Sequence, residues 1–498
     1  MRRPLPLFLL VASCLLSCGE GRPSGIVADP YAPALPPAEA PAGLEPATWR
    51  AHLEQELLPF WRMEEAKGSP LGNFPTRRTM SGAVASGSTT RKSRMLGRQT
   101  YAYAVSYLMT GDEELLSLSR AGTRWILDHA RDGARGGFHP DLDENGNPVG
   151  NGDKWAQDAS YIAMGPAAYF FVTRDPEAEA AVLAARDLLF DPATFWDAEQ
   201  RRIRDGLDGA LTTERFMTAA YSSELVAQLD PVTAFLLLVQ PVLSADARRE
   251  QVLGDLRTLA TTMKEQFWRD GLFWGTTAGI GQYGSRHTDF GHSLKAYWAL
   301  SLIDRRLPDQ PFQAFLSEHL PGALTFALDT ETGRWASRPL SPTTKAYGSD
   351  WWQYAEADQV AATLALHDPA FVQTVGTSAE QWRARFVDRS RPAGEVFPSI
   401  KRDGSGWGWS DSDTAKCNEW KSGFHSTEHA LVLYLFSHWL HGEPAPLYFA
   451  FPADRVAELA AASRPYTLLG RVVDHQDLGP LAADPSLHKV RVRFDQLR

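Results

Sequence analysis

Residues 98–114 read RQTYAYAVSYLMTGDEE, and the pattern in this stretch sets the architecture of the chain. Tyr101, Tyr103, Val105, Tyr107 and Leu108 make an apolar, aromatic helix that Arg98 leads into. Thr110-Gly111-Asp112 turns the chain. Glu113 and Glu114 then open a second helix, where a positive helix end favours acids. Leu115, Leu118, Trp125 and Ile126 recur along it at helical spacing. The unit is a helix hairpin.

The pattern returns five more times. Closing turns centre on Asp112, Asp175, Asp246, Asp309, Asp368 and Glu443, roughly 60 to 75 residues apart, which marks a repeated unit. The residues leading into the apolar helices are Arg98, Gln157 with Asp158, Asp230, His292, Glu356 and His425. Each stands about one helix length before its turn, so the polar positions occupy equivalent ends of equivalent helices. Six hairpins closed in a ring gather those ends at one mouth. Apolar helices have no structural need for ionisable groups there, so the mouth is the candidate active site.

At 498 residues and 44% hydrophobic, the chain can bury a large core. A net charge of −10, with no lysine- or arginine-rich run, argues against a nucleic-acid partner. The longest internal apolar run, Val232 to Leu243, is broken by Gln240 and Pro241 and reads as a buried helix. The acids of residues 141–147 lack the ligand spacing of a calcium loop and read as a hairpin tip.

Arg2 and Arg3 precede an apolar run, Leu5 to Leu16, that is too short to span a bilayer. The run ends in Leu15-Leu16-Ser17-Cys18-Gly19, which resembles the lipobox of bacterial lipoprotein signals, with Cys18 lipidated. The plainer alternative is an ordinary secretory signal. The expected division is a signal peptide over residues 1–17 and a proline- and alanine-rich tether over 18–46. A helical catalytic domain follows over 47–450, then a small β appendage over 451–498. In that appendage Val490, Val492 and Phe494 alternate with basic residues. The expected setting is exported, on a bacterial envelope membrane held through the N-terminal lipid alone. With Cys14 in the signal and Cys18 lipidated, Cys417 has no intrachain disulfide partner.

Three segments resemble the N-acylglucosamine 2-epimerase family, which includes cellobiose 2-epimerases and mannose-type aldose–ketose isomerases. Phe290-Gly291-His292-Ser293-Leu294-Lys295-Ala296 looks like its Gly-His-x-x-Glu helix. Trp351-Trp352-Gln353-Tyr354-Ala355-Glu356 looks like its Trp-Trp-x-x-Ala-Glu segment. Trp420-Lys421-Ser422-Gly423-Phe424-His425 looks like its Trp-Lys-x-x-Tyr-His segment, and Arg98-Gln99 resembles the family's arginine in the first hairpin. The resemblance implies an all-α chain folded as an (α/α)6 barrel, which the repeat also suggests. It further implies a sugar 2-epimerase or aldose–ketose isomerase with His292 and His425 as the catalytic pair. One base takes the proton beside the C1 carbonyl of a reducing sugar. An enediolate forms, and a second group returns a proton. Histidine suits both roles because its pKa lies near neutrality. Arg98 and Lys295 are candidate donors to the oxyanion. Trp351, Trp352 and Trp420 offer flat faces to a mono- or oligosaccharide. The chemistry requires no metal or organic cofactor.

The chain departs from the family pattern twice. The third hairpin lacks the family histidine and carries Asp230 instead. The glutamate three residues after the first catalytic histidine is Lys295 here. A lysine cannot accept the imidazole proton that a glutamate would accept. Two consequences stand open. Either Asp289 or another acid orients His292, or Lys295 makes a positive spot that selects an anionic sugar.

Other readings compete. A glycoside hydrolase or lyase on the same fold would use an acid pair drawn from Asp289, Asp350, Glu356 and Glu428. A non-catalytic surface lipoprotein would only bind glycans. His129, His367, His438 and His441 read as structural, His429 as support for His425, and Glu356 equally as a site member or a buried hydrogen-bonding group. His287 lacks a third nearby ligand and does not read as a metal site.

Overall fold

The computed structural model describes residues 31–216, 222–407 and 415–498; the N-terminal signal with Cys18 lies outside the described residues. Six helices carry the core: Ser93–Thr110, Ala156–Thr173, 225–239, Phe290–Asp304, Trp351–Ala365 and Phe424–Leu440. Nearly every residue in them is buried, the condition of a helix enclosed on all sides. Each packs on the next, and the last packs on the first, so they form a closed inner ring. Residues 225–239 include a π turn, Val232–Leu236, directly after Pro231, whose missing N–H opens the helical ladder there. The stretch Leu225–Val242 is long and apolar enough to cross a membrane, but 94% of it is buried inside the body.

Outer helices Glu113–Trp125, Pro176–Leu189, Asp246–Gln266, Gln313–Ala327 and Val372–Gln381 cover the ring. Three of the six closing acids act as helix caps. Asp112 accepts from Glu114 N at 3.0 Å, and Asp175 accepts from Glu177 N at 3.0 Å and Ala178 N at 2.9 Å. Asp368 does the same for Ala370 N at 3.1 Å.

The sixth unit departs from the expected hairpin. After Glu443 the chain enters the strand Ala445–Pro452 rather than a helix. The outer place beside Phe424–Leu440 is filled from the other end of the sequence, by residues 46–61. Trp49 meets the His429 ring edge-on at 5.3 Å, and Trp61 donates its indole N–H to Glu395 at 2.7 Å.

Strand Ala445–Pro452 pairs antiparallel with Leu487–Asp495, which pairs in turn with Arg471–Pro480. This three-stranded sheet begins before residue 451. Its first strand was not anticipated, because it continues directly from the last inner helix. It packs under the C-terminal ends of the first two inner helices. Tyr107 donates to the Phe449 carbonyl at 3.0 Å, and the Phe171 and Phe449 rings lie 6.0 Å apart. The sheet therefore lies at the end of the ring away from the polar helix starts.

Candidate active site

The N-terminal ends of the inner helices surround a cavity of about 370 Å³, lined by both aromatic and ionisable side chains. That size lies within the range of small-molecule sites. Arg98, His292, Lys295, Trp351, Trp352, Trp420 and His425 all line it. Asp230 and Glu356 lie one layer behind, bonded or paired to residues that reach the wall.

The two histidines share a neighbour. The Trp352 ring lies 4.6 Å from that of His292 and 6.0 Å from that of His425. Trp351 stands edge-on to His425 at 5.9 Å. These contacts follow from helix geometry: Trp351 and Trp352 open the fifth inner helix, between the helices that carry the two imidazoles.

Asp289 caps the fourth inner helix. Its Oδ1 accepts from the His292 backbone N–H at 2.9 Å, and its Oδ2 lies 2.6 Å from His292 Nδ1. His287 flanks the same imidazole, with ring centroids 4.8 Å apart. Burial, with His292 and Arg286 nearby, lowers His287 to about 2, so it stays neutral.

His425 sits deeper. Burial, with Arg98 and Lys295 close by, pushes it well below the usual imidazole range, so the ring is neutral. Its Nδ1 lies 3.2 Å from Glu356 Oε1, out of line for a formed hydrogen bond. Burial raises Glu356 to about 8, against the pull of Lys295. At neutral pH Glu356 is therefore largely a neutral acid.

Lys295 does not turn toward His292. Its Nζ lies 3.4 Å from Asp230 Oδ1 and 3.5 Å from Glu356 Oε1. Burial opposes its charge, yet Tyr161, Glu356 and Asp230 hold its pKa above that of an ordinary lysine. Asp230 also accepts from Gln157 at 2.9 Å. Lys295 is thus paired within the site to Asp230, with the Glu356 carboxyl beside it.

Arg98 is buried with its guanidinium 4.7 Å from the Tyr161 ring centroid and 5.3 Å from that of Phe424. Its Nε makes no hydrogen bond within the protein. Burial lowers its pKa, with Tyr161 and Asp230 opposing.

The sequence reading missed Tyr161, Gln353 and Arg286 in the cavity wall, and it missed Tyr466 altogether. Tyr466 comes from the C-terminal segment, and its hydroxyl bonds Glu428. Tyr101 donates to the same carboxylate at 3.1 Å. Positive φ at Tyr466 (62°) turns it inward, which no local sequence signal indicates. His429 instead bonds Asp358 at 2.8 Å, and it does not line the cavity.

Ligand atoms of Glu356, His425 and Glu428 lie within 4.8 Å of one another, a spacing that a divalent cation would accept. Lys295, 3.5 Å from Glu356, already places a cation beside this group.

A model of the N-acylglucosamine 2-epimerase (GlcNAc 2-epimerase) family matches residues 76–224. A cellobiose 2-epimerase of Bacteroides fragilis is 24% identical over 399 residues, 75% of this chain and 94% of that protein. Among solved structures, cellobiose 2-epimerase from Bacillus thermoamylovorans superposes with a TM-score of 0.66 at 16% identity, over 79% of this chain and 99% of that one. D-mannose isomerase superposes with a TM-score of 0.64 at 17% identity, over 79% and 99%. These likenesses show a shared fold. The family model covers the first two of the six inner helices, and the three motif segments lie in the last three. By these matches the chain is similar, over part of its length, to the N-acylglucosamine 2-epimerase family.

Proposed function

We propose that the protein is a sugar 2-epimerase or aldose–ketose isomerase acting on a reducing mono- or disaccharide. His292 and His425 exchange protons with the sugar across an enediolate. The observation that carries this reading is the placement of both imidazoles against one indole, Trp352, in one cavity. Imidazoles are competent proton-transfer groups, and each has a carboxyl group beside its Nδ1, so ring orientation is under protein control. Arg98, buried with an unsatisfied N–H, is the donor for the enediolate oxygen. The tryptophans supply the sugar platform. The ring of six inner helices, with its sheet at the far end, leaves the polar mouth for substrate. Export and lipidation at Cys18 belong to the same proposal; Cys18→Ala should release the protein from the membrane fraction.

Incubation with reducing sugars in deuterated water tests the chemistry. Deuterium at C2 with formation of the epimer, or at C1 with formation of the ketose, is the expected result. A new reducing end would mean hydrolysis. Sugar binding without exchange would mean a lectin-like role, and either outcome overturns the proposal.

A further inference from the structure

The chain lacks the glutamate that follows the first catalytic histidine by three residues in its family, and the structure shows where an orienting acid comes from instead. Lys295 occupies that position and is turned to Asp230 and Glu356, away from the imidazole. The carboxylate that meets His292 belongs to the residue three positions before it. We infer that Asp289 is the positioning residue of His292, holding the ring and fixing its tautomer through the Nδ1 contact while capping the helix that carries it.

The argument is geometric. Asp289 presents two oxygens to one residue: Oδ1 to the backbone N–H at 2.9 Å and Oδ2 to Nδ1 at 2.6 Å. The first bond anchors the carboxylate at the helix start and is a standard cap. The second is not needed for capping, which serine or threonine would perform equally well. A carboxylate offers only lone pairs, so the nitrogen facing it must carry the proton. That leaves Nε2 as the basic nitrogen of the neutral ring. His292 lines the cavity, and Trp352 and His287 pack on the ring at 4.6 and 4.8 Å, limiting its rotation. The two exchanges belong together. Moving the acid from one side of the histidine to the other releases the position of Lys295, which pairs with Asp230 where the family carries a histidine. Glu356, next to His425, is paired by the same lysine.

This inference rests on His292 acting as a proton-transfer group, and its test separates the two. Asp289→Asn keeps a capping oxygen but presents N–H to the ring, reversing the tautomer. Asp289→Ser keeps the cap and removes the carboxylate. Both should fold with unchanged far-UV circular dichroism and bind sugar with KM within a few-fold of the wild type. Both should lose C2 exchange by about 10²- to 10⁴-fold in kcat, the usual contribution of a well-placed acid–base group. In parallel, ¹⁵N-histidine NMR should show His292 protonated on Nδ1 in the wild type and on Nε2 in Asp289→Asn. Unchanged kcat in both variants, or a wild-type ring protonated on Nε2, overturns the inference while leaving the epimerase reading intact. A wild type without exchange overturns the epimerase reading, and the NMR result still decides whether Asp289 sets the tautomer. If Asp289→Asn fails to fold, Asp289→Ser carries the kinetic test.

Discussion

Removing the charge of Lys295 by Lys295→Met isolates the central ion cluster. The ammonium lies 3.4 Å from Asp230 and 3.5 Å from Glu356, with all three side chains buried. At an effective dielectric of about 20, unit charges at that spacing attract by about 5 kcal/mol. Desolvation offsets much of this in the intact pair. A variant that keeps the acid and loses the base leaves a buried carboxylate with only the neutral donors Gln157 and Tyr161, which costs about 3–5 kcal/mol. Because Glu356 is largely protonated at neutral pH, Asp230 carries most of that cost. Urea unfolding of Lys295→Met, Asp230→Asn and the double variant at pH 7 measures it. The double variant should be more stable than Lys295→Met alone, with a coupling energy of about 2–3 kcal/mol. A loss below about 1 kcal/mol in Lys295→Met, with additive behaviour in the double variant, would refute the reasoning, because exposed pairs behave that way.

Lys295→Glu should be less stable still, since it adds a carboxylate beside Asp230 and Glu356. It should leave the preference between neutral and anionic sugars unchanged, as competition assays on the folded fraction would show. Burial raises Glu356 to about 8, above its ordinary 4.5, so the native state binds the extra proton. Its contribution is present below about pH 4.5 and is lost as pH rises through 8, up to about 1.4 kcal/mol per pH unit. Glu356→Gln should flatten that fall, read as urea midpoints between pH 5 and 9 relative to the wild type. Arg98→Met should lower kcat by about 10²- to 10³-fold through loss of an oxyanion donor, measured by C2 exchange at saturating sugar. Tyr466→Phe should cost about 1–2 kcal/mol by removing a hydroxyl from the buried Glu428, seen as a lower melting temperature.

The inner helices were legible because full burial forces a continuous aromatic and aliphatic composition. Arg98, His292 and His425 stood out because they recur at equivalent positions of the repeat and within recognisable motifs. The outer helix of the sixth pair was not legible. Its partner lies almost the whole chain away, and Glu443 resembles the other closing acids although a strand follows it. Trp351, Trp352 and Trp420 followed from motif context. Asp289 was one of two open readings, since cap and orienting acid look the same in sequence. The turn of Lys295 toward Asp230 depends on three helices meeting, which periodicity does not encode. Tyr466 reaches Glu428 only through the path of the C-terminal segment.

The placement of residues 46–61 against Phe424–Leu440 has a consequence for biogenesis. This early helical segment finds its permanent neighbour only after the sixth inner helix has been made. Until then Trp49 and Trp61, both fully buried in the finished molecule, have no native shelter. Such distant pairing is slow and leaves sticky surface uncovered for longer. A polypeptide built this way matures late, as one cooperative object.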